Sequence, residues 1–237
     1  MENGLITLFI GSLLLLFLPI QHTLSLPEKK SNMKSPIETF SNWVKRGIDD
    51  GMEKNHFESV CNMFDLIIKS QRDFSLIDAG CGNGWAVRHI SKHPNCKIAS
   101  GLDGSELMID KAKKLDSKNE YFVGDLLKWK PENKVDAVLS MEVLYYFKEP
   151  LKVLKNIFNH WLKPNGKLVM GIDFYYENPS SHDWQEKTGV SIMNLMNKEE
   201  WYNLFIDAGF SDVKKHQFCK SGKWEGTLVI EGIKINN

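Results

Sequence analysis

Leu76-Ile77-Asp78-Ala79-Gly80-Cys81-Gly82-Asn83-Gly84 is the stretch whose reading decides the fold. An apolar run ends in an acid, then in glycine at every second position, and residues 85–93 after it have helical spacing. This is the pattern of a buried strand opening into a backbone-exposed loop that feeds a helix N-terminus. Glycine suits such a loop because the chain must turn sharply and approach a ligand with no Cβ in the way. Its amides and the helix dipole favour an anionic ligand group, a carboxylate or a phosphate. The spacing excludes two common nucleotide loops. A G-x-G-x-x-G fingerprint counted from Gly80 puts Trp85 at its third glycine, and counted from Gly82 it puts Val87 there. A P-loop lacks its Gly-Lys-Ser/Thr.

Outward from this loop the chain alternates. Strands are predicted at 74–79, 97–102, 120–123, 135–140 and 167–172, and helices at 85–93, 105–115 and 150–162. Strands separated by helices of this length make right-handed βαβ units and a parallel sheet, so the fold class is α/β. A looser stretch at 174–196, a helix at 198–208 stopped by Gly209, and strands at 212–218 and 227–233 complete the pattern. A short turn joins the last two strands, which must therefore run antiparallel. Before the loop, 40–51 and 56–70 have amphipathic helical spacing, separated by polar residues 52–56. No strand precedes these helices, so they are expected against the edge of the sheet.

The N-terminus departs from the rest. Residues 5–20 are almost wholly apolar and uncharged, and 27–36 read as a linker bounded by Pro27 and Pro36. Three readings stand. A cleaved secretory signal has the right core length, with Thr23-Leu24-Ser25 as a cleavage site, but the segment before it holds Glu2 and no Lys or Arg. A membrane anchor would cover about 24 Å at ~1.5 Å per residue, against a ~30 Å hydrocarbon core. Lys29, Lys30 and Lys34 then place the body of the protein in the cytoplasm by the positive-inside rule. The third reading is a dispensable leader, since Met33 opens a chain complete without it, and a soluble cytoplasmic protein would result. Of the three, the anchor is the reading carried forward. The domain division expected is a hydrophobic segment at 1–26, the linker at 27–36 and one domain at 37–237, with a helical lid at 37–70 and a substrate-side insertion at 174–196.

Composition narrows the function classes. The apolar and charged fractions, 42% and 25% of 237 residues, are those of an ordinary globular protein. Lys+Arg and Asp+Glu balance at 30 each, which removes a global electrostatic case for nucleic acid. Cys61, Cys81, Cys96 and Cys219 form no CxxC pair, so no metal site or disulfide framework is expected.

The D-x-G-x-G-x-G spacing of Asp78, Gly80, Gly82 and Gly84 resembles the first motif of class I S-adenosylmethionine-dependent methyltransferases, and the resemblance extends over roughly residues 74–233. It implies a Rossmann-like seven-stranded, mostly parallel sheet with an antiparallel last strand and helices on both faces. It also implies that the glycine loop lines the methionine end of S-adenosyl-L-methionine. Asp103, ending the second strand, is similar to the family's ribose-hydroxyl acceptor, and Asp125, after the third, to the acid presented to the adenine amino group. Ser140-Met141-Glu142-Val143-Leu144-Tyr145-Tyr146 looks like the segment bordering the methyl group, and Leu162-Lys163-Pro164-Asn165-Gly166 like the family's turn before the fifth strand.

A sulfonium methyl is already an activated electrophile, so the work left to the protein is alignment and exclusion of water, with a base where the acceptor must lose a proton. His56, in the break between the N-terminal helices, is the leading base candidate, with a surface histidine as its plain alternative. His182 in the 174–196 insertion, Glu142 and Tyr145 complete the catalytic candidates, and Asp173 is a weaker one. Phe40, Trp43, Tyr145 and Tyr146 could face the sulfonium. Lys111, Lys113, Lys114 and Lys118 read as a solvated helix face. Ser-Met-Glu-Val after the fourth strand is not the Asn/Asp-Pro-Pro-aromatic of amide- and base-methylating relatives, and no Pro-Cys nucleophile is present. The acceptor expected is a small molecule, lipid-like if the chain is tethered. Two other classes stay open at this point: a binding or scaffold subunit that has lost catalysis, and an NAD-dependent oxidoreductase. Oligomeric state is not legible.

Overall fold

The computed structural model describes residues 33–69 and 73–235. The apolar stretch 5–20 and its anchor, signal and leader readings lie outside the described residues. Among the described residues, no helix is long and apolar enough to cross a membrane.

One sheet of seven strands organises the chain: β1 (Phe74–Ala79), β2 (Cys96–Asp103), β3 (Glu120–Val123), β4 (Val135–Met141), β5 (Leu162–Ile172), β6 (Ser211–Phe218) and β7 (Thr227–Ile233). Their spatial order is β3-β2-β1-β4-β5-β7-β6. β1 to β5 run parallel, and β7 lies antiparallel between β5 and β6. All six residues of β1 are buried, as a central strand covered by helices on both faces requires. β6 alternates between exposed and half-buried positions and forms a polar edge. The chain builds outward from β1 to β3, then returns to start β4 on the other side of β1. That reversal opens a crevice above the carboxyl ends of β1 and β4, the place where such sheets bind ligands.

The helices are α1 (Pro36–Arg46), α2 (Gly51–Ile68), α3 (Trp85–Ile90), α4 (Glu106–Leu115), α5 (Pro150–Asn156), α6 (Trp184–Thr188) and α7 (Lys198–Ala208). Two apolar cores lie on opposite faces of the sheet, one around Trp161, Trp201 and Phe205, the other around Met63, Phe64, Ile67 and Leu76.

Several boundaries differ from the expectation. Ser35 caps α1 by accepting from the Glu38 amide at 3.2 Å, and Gly47 ends it with φ 66°. The polar residues 52–56 do not interrupt a helix; they are the first turns of α2, so His56 stands on a helix rather than in a break. Nor does α2 sit at the sheet edge. It crosses the sheet face near β5 and β7: the Ser59 and Thr227 hydroxyls are 2.6 Å apart, and Lys167 Nζ donates to the Leu66 carbonyl at 2.9 Å. Its buried row Val60, Met63, Phe64 and Ile67 explains the placement, because an apolar stripe of that length needs a whole face to cover it. α3 stops at Ile90, short of the predicted 93, and α5 ends at Asn156 and widens into a π turn over Ile157–Trp161. The Leu-Lys-Pro-Asn-Gly stretch is not a separate turn; it opens β5, with Asn165 at φ 60° making the local irregularity.

Candidate active site

The crevice is a cavity of about 1010 Å³, bounded below by the carboxyl ends of the parallel strands and above by α1 and α2. At the upper end of the range for small-molecule sites, it has room for a cofactor and an acceptor together.

One half is built by the glycine loop. Gly80 and Gly82 line the cavity at φ 85° and 53°. A Cβ on Gly80 would fall on the methyls of Val143, and one on Gly82 would stand 3.2 Å from Met52 Cε. A Cβ on Gly84 would be 2.5 Å from the Tyr121 ring; this glycine lets β3 close on the loop and lies outside the cavity lining. Asp103 lines the cavity with both carboxylate oxygens engaged, Oδ2 accepting from Gly82 N–H at 3.0 Å and Oδ1 from Ser105 N–H at 2.8 Å. Burial raises its pKa, against the pull of these amides and that of Gly104. Each oxygen keeps a further lone pair for a ligand hydroxyl. Asp125 also lines the cavity, exposed, with Oδ1 accepting from Leu127 N–H at 2.9 Å in an Asx turn.

Asp78 and Ser140 stand behind this surface. Asp78 is 4% exposed and outside the cavity lining, and burial plus the charge of Asp103 push its carboxyl up to about 8. The fully buried Ser140 donates to the Ala79 carbonyl at 2.9 Å, tying β4 to β1. Met141 reaches the cavity.

The other half holds an ionisable floor. His56 from α2, Glu142 after β4 and Asp173 after β5 have ligand atoms within 4.8 Å of one another. His56 Nε2 is 3.5 Å from Asp173 Oδ2, and its Nδ1 is 2.9 Å from the Met52 carbonyl. A carbonyl only accepts, so Nδ1 carries a hydrogen and Nε2 faces the carboxylate. Burial pulls the imidazole's pKa down, but the Asp173 hydrogen bond and the charges of Glu142 and Asp173 overcome it and hold the group at about 9. Glu142 accepts from the Asp173 amide and, at 2.7 Å, from the Tyr145 hydroxyl. Burial and the Asp173 charge push its carboxyl up to about 8 against the opposing pull of His56. Its φ of 61° is unusual for a glutamate, and such backbone strain gathers at functional sites. Asp173 is 5% exposed, and among the described residues its Oδ1 has no partner.

Aromatic rings stand around this floor. Phe40 packs edge-on against Trp43 and Tyr146 at 5.0 and 5.2 Å, and Trp184 and Trp224 stack at 5.9 Å. His182 does not join them. It is exposed, its Nε2 lies 2.9 Å from the Tyr176 carbonyl, and it is outside the cavity lining. From the 174–196 insertion it is Trp184, Lys187, Thr188 and Met193 that reach the cavity.

Sequence reasoning missed the group that fastens the covering helices to the loop. The carboxylate of Asp49, fully buried between α1 and α2, accepts from Asn83 Nδ2 at 2.9 Å and pairs with Lys111 Nζ at 2.7 Å. Lys111, read as part of a solvated face, in fact holds Asp49 and also Asp50 at 2.6 Å. The only signal in the sequence was Asn83 inside the glycine loop, and nothing local named its partner.

Sheet order, glycine loop and acid-tipped second strand define a protein that binds a nucleoside-containing cofactor at the β1–β4 switch point. Residues 77–170 match the methyltransferase domain family. The chain is 26% identical over 188 residues to malonyl-[acyl-carrier protein] O-methyltransferase of Halalkalibacterium halodurans, covering 71% of this chain and 69% of that one. The protein solved in complex with the Haloferax volcanii Trm112 methyltransferase activator superposes with TM-score 0.72 at 27% identity over 86% of this chain and 99% of that one. N-methyltransferase NodS from Bradyrhizobium japonicum, solved with S-adenosyl-L-homocysteine, shares the fold at TM-score 0.63 and 18% identity over 83% and 98% of the two chains. Over residues 77–170 the chain carries a methyltransferase domain, and it is similar to class I S-adenosylmethionine-dependent methyltransferases, small-molecule methyltransferases among them. The cofactor fits this cleft: Gly82 leaves a cradle that a side chain would fill, and Asp103 offers spare acceptor capacity beside it. The oxidoreductase reading gives way to that likeness.

Proposed function

We propose that this enzyme transfers a methyl group directly and in line to a small, proton-bearing acceptor held over His56, Glu142 and Asp173. The observation that carries the reading is the continuity of the glycine-loop half with this floor in one cavity. Bound S-adenosyl-L-methionine supplies an electrophilic methyl on sulfur, so the protein needs no covalent intermediate. Gly80, Gly82 and Asp103 would hold the cofactor, Asp125 would border its adenine side, and Met141 and Glu142 would border the reacting centre. The aromatic rings of α1 and of the 174–196 insertion would exclude water and grip an apolar acceptor body. Isothermal titration with S-adenosylhomocysteine, followed by a labelled-methyl assay on an acceptor panel, tests this. Failure of the folded protein to bind would refute it, and Asp103→Ala is expected to weaken binding at least tenfold.

Two further readings have specific support. Residues 5–20 would tether the enzyme to a membrane with the domain in the cytoplasm, given their apolar run and the lysines after it. Fractionation of the full chain beside one starting at Met33 tests this, and equal solubility would refute it. An activator subunit is supported by the Haloferax complex and by the edge strand β3, where Phe122 is exposed and flanked by exposed Leu115 and Leu127. Co-expression with a Trm112-type protein should give a complex on gel filtration that Phe122→Glu disrupts. Separate elution of the wild-type proteins would refute it.

A further inference from the structure

The histidine that sequence reasoning put forward as base already has its proton. Nδ1–H is spent on the Met52 carbonyl, and Nε2 faces Asp173 Oδ2 at 3.5 Å. Two lone pairs cannot face each other at a buried contact, so a hydrogen sits between them, whichever partner formally owns it. The His56 imidazole therefore has no vacancy for a second proton, and Asp173, although its Oδ1 is open, already shares that hydrogen through Oδ2. Glu142 shares no such proton. Its carboxylate accepts from the Asp173 amide and the Tyr145 hydroxyl and donates to nothing. Tyr145 has one hydrogen, and the carboxylate at 2.7 Å takes it, so the Tyr146 hydroxyl, 3.2 Å further on, is left to donate toward Tyr145. Tyr146 lines the cavity, and the chain of hydroxyls connects Glu142 with it.

Glu142 would also stand near the charge that the cofactor brings. It precedes Val143, whose methyls occupy the space beside Gly80. A sulfonium entering that half of the cavity favours the ionised form of a neighbouring carboxylate. Tyr145 and Tyr146 from the segment after β4, His56 from α2 and Asp173 at the end of β5 are the titratable groups that face Glu142.

Building on the methyltransferase reading above, we propose that Glu142 is the proton acceptor of the reaction, and that this floor selects an acceptor with an N–H or O–H nucleophile over a carboxylate. As the nucleophile bonds to the methyl carbon, the carbon–sulfur bond breaks and its electron pair stays on sulfur. The N–H or O–H bond breaks in turn, and its proton goes to a Glu142 oxygen. His56 keeps its proton throughout and is a positioning residue that holds Asp173 in place. With the His56–Asp173 pair neutral overall and Glu142 ionised by the incoming sulfonium charge, the floor repels a carboxylate acceptor and accommodates an amine or a hydroxyl.

Two measurements test this. Calorimetry of cofactor binding near pH 7.5, in buffers of different ionisation enthalpy, reads protons released. S-adenosylmethionine should release a measurable fraction of a proton more than S-adenosylhomocysteine, which carries no charge on sulfur. Glu142→Gln should abolish that difference while keeping S-adenosylhomocysteine affinity within about threefold, and His56→Gln should retain it. A difference unchanged in Glu142→Gln, or lost only in His56→Gln, overturns the assignment. With labelled methyl donor and an extract of cellular small molecules, label should appear in base-stable products, amines separating from ethers on cation exchange. Label in base-labile methyl esters overturns the acceptor class but leaves the methyltransferase reading standing, whereas loss of cofactor binding by the wild-type protein would strike that reading itself.

Discussion

Asp49→Ala tests whether the helices over the cleft are fastened to the glycine loop through one carboxylate. Asp49 is fully buried, and its Oδ2 takes both Asn83 Nδ2 and Lys111 Nζ. Truncation leaves the Asn83 amide, 4% exposed, with only the long contact to the Asp49 backbone carbonyl at 3.4 Å, and a poorly satisfied buried donor costs about 1–3 kcal/mol. Lys111 loses one partner but keeps Asp50 at 2.6 Å and is partly solvated, so the full cost of breaking a buried pair, about 3–5 kcal/mol, does not apply to it. The expected destabilisation is about 2–4 kcal/mol. At roughly 2–4 °C per kcal/mol for a domain of this size, the melting temperature should fall by about 5–15 °C. Differential scanning calorimetry with and without S-adenosylhomocysteine reads both consequences, because Asn83 belongs to the loop that shapes the cofactor half. Affinity should drop together with stability. Asp49→Asn, which can still accept from Asn83, should recover part of the loss. A melting point within about 2 °C of wild type, by the same conversion, would mean the covering helices are held by their apolar contacts alone and would refute the reasoning.

Gly80→Ala forces an L residue to φ 85° and drives a methyl onto Val143, so cofactor affinity should fall at least tenfold, with partial recovery in the Gly80→Ala, Val143→Ala double variant. No recovery would show that backbone strain, not the clash, dominates. Asp78 bears on the pH dependence of stability. With its native pKa raised to about 8, the folded protein holds a proton that the unfolded chain has lost, so this group makes stability fall as pH rises from about 4 to 8. Asp78→Asn should remove that slope, and urea melts at pH 6 and 9 should show a smaller difference than in wild type; an equal difference would contradict the assignment. His182→Ala should change kcat/KM by less than twofold, since the side chain sits outside the cavity on the Tyr176 carbonyl, and a tenfold loss would place it in the site after all.

Most of the sheet was legible because buried parallel strands read as unbroken apolar runs. Phe74–Ala79 is such a run, and the spacing of glycine after it announced a ligand loop. The two covering helices were less legible. Residues 52–56 look like a break in one dimension, yet they are the first turns of α2, and Met52, Lys54, Asn55 and His56 line the cleft. Asp173 was undervalued for a similar reason. At the end of a strand it is one acid among many, and only burial beside His56 gives it weight.

By itself, then, the amino-acid order determined what depends on neighbours in the chain: strand and helix periodicity, the loop that needs residues without Cβ, and the acid at the tip of β2. Tertiary structure alone decided what depends on groups brought together from distant segments. His56 on α2, Glu142 after β4 and Asp173 after β5 meet at the switch point because the sheet order places β5 beside β4 and because α2 crosses that face. Their protonation follows from the meeting, since burial and mutual charge set it and neither exists in the sequence taken alone.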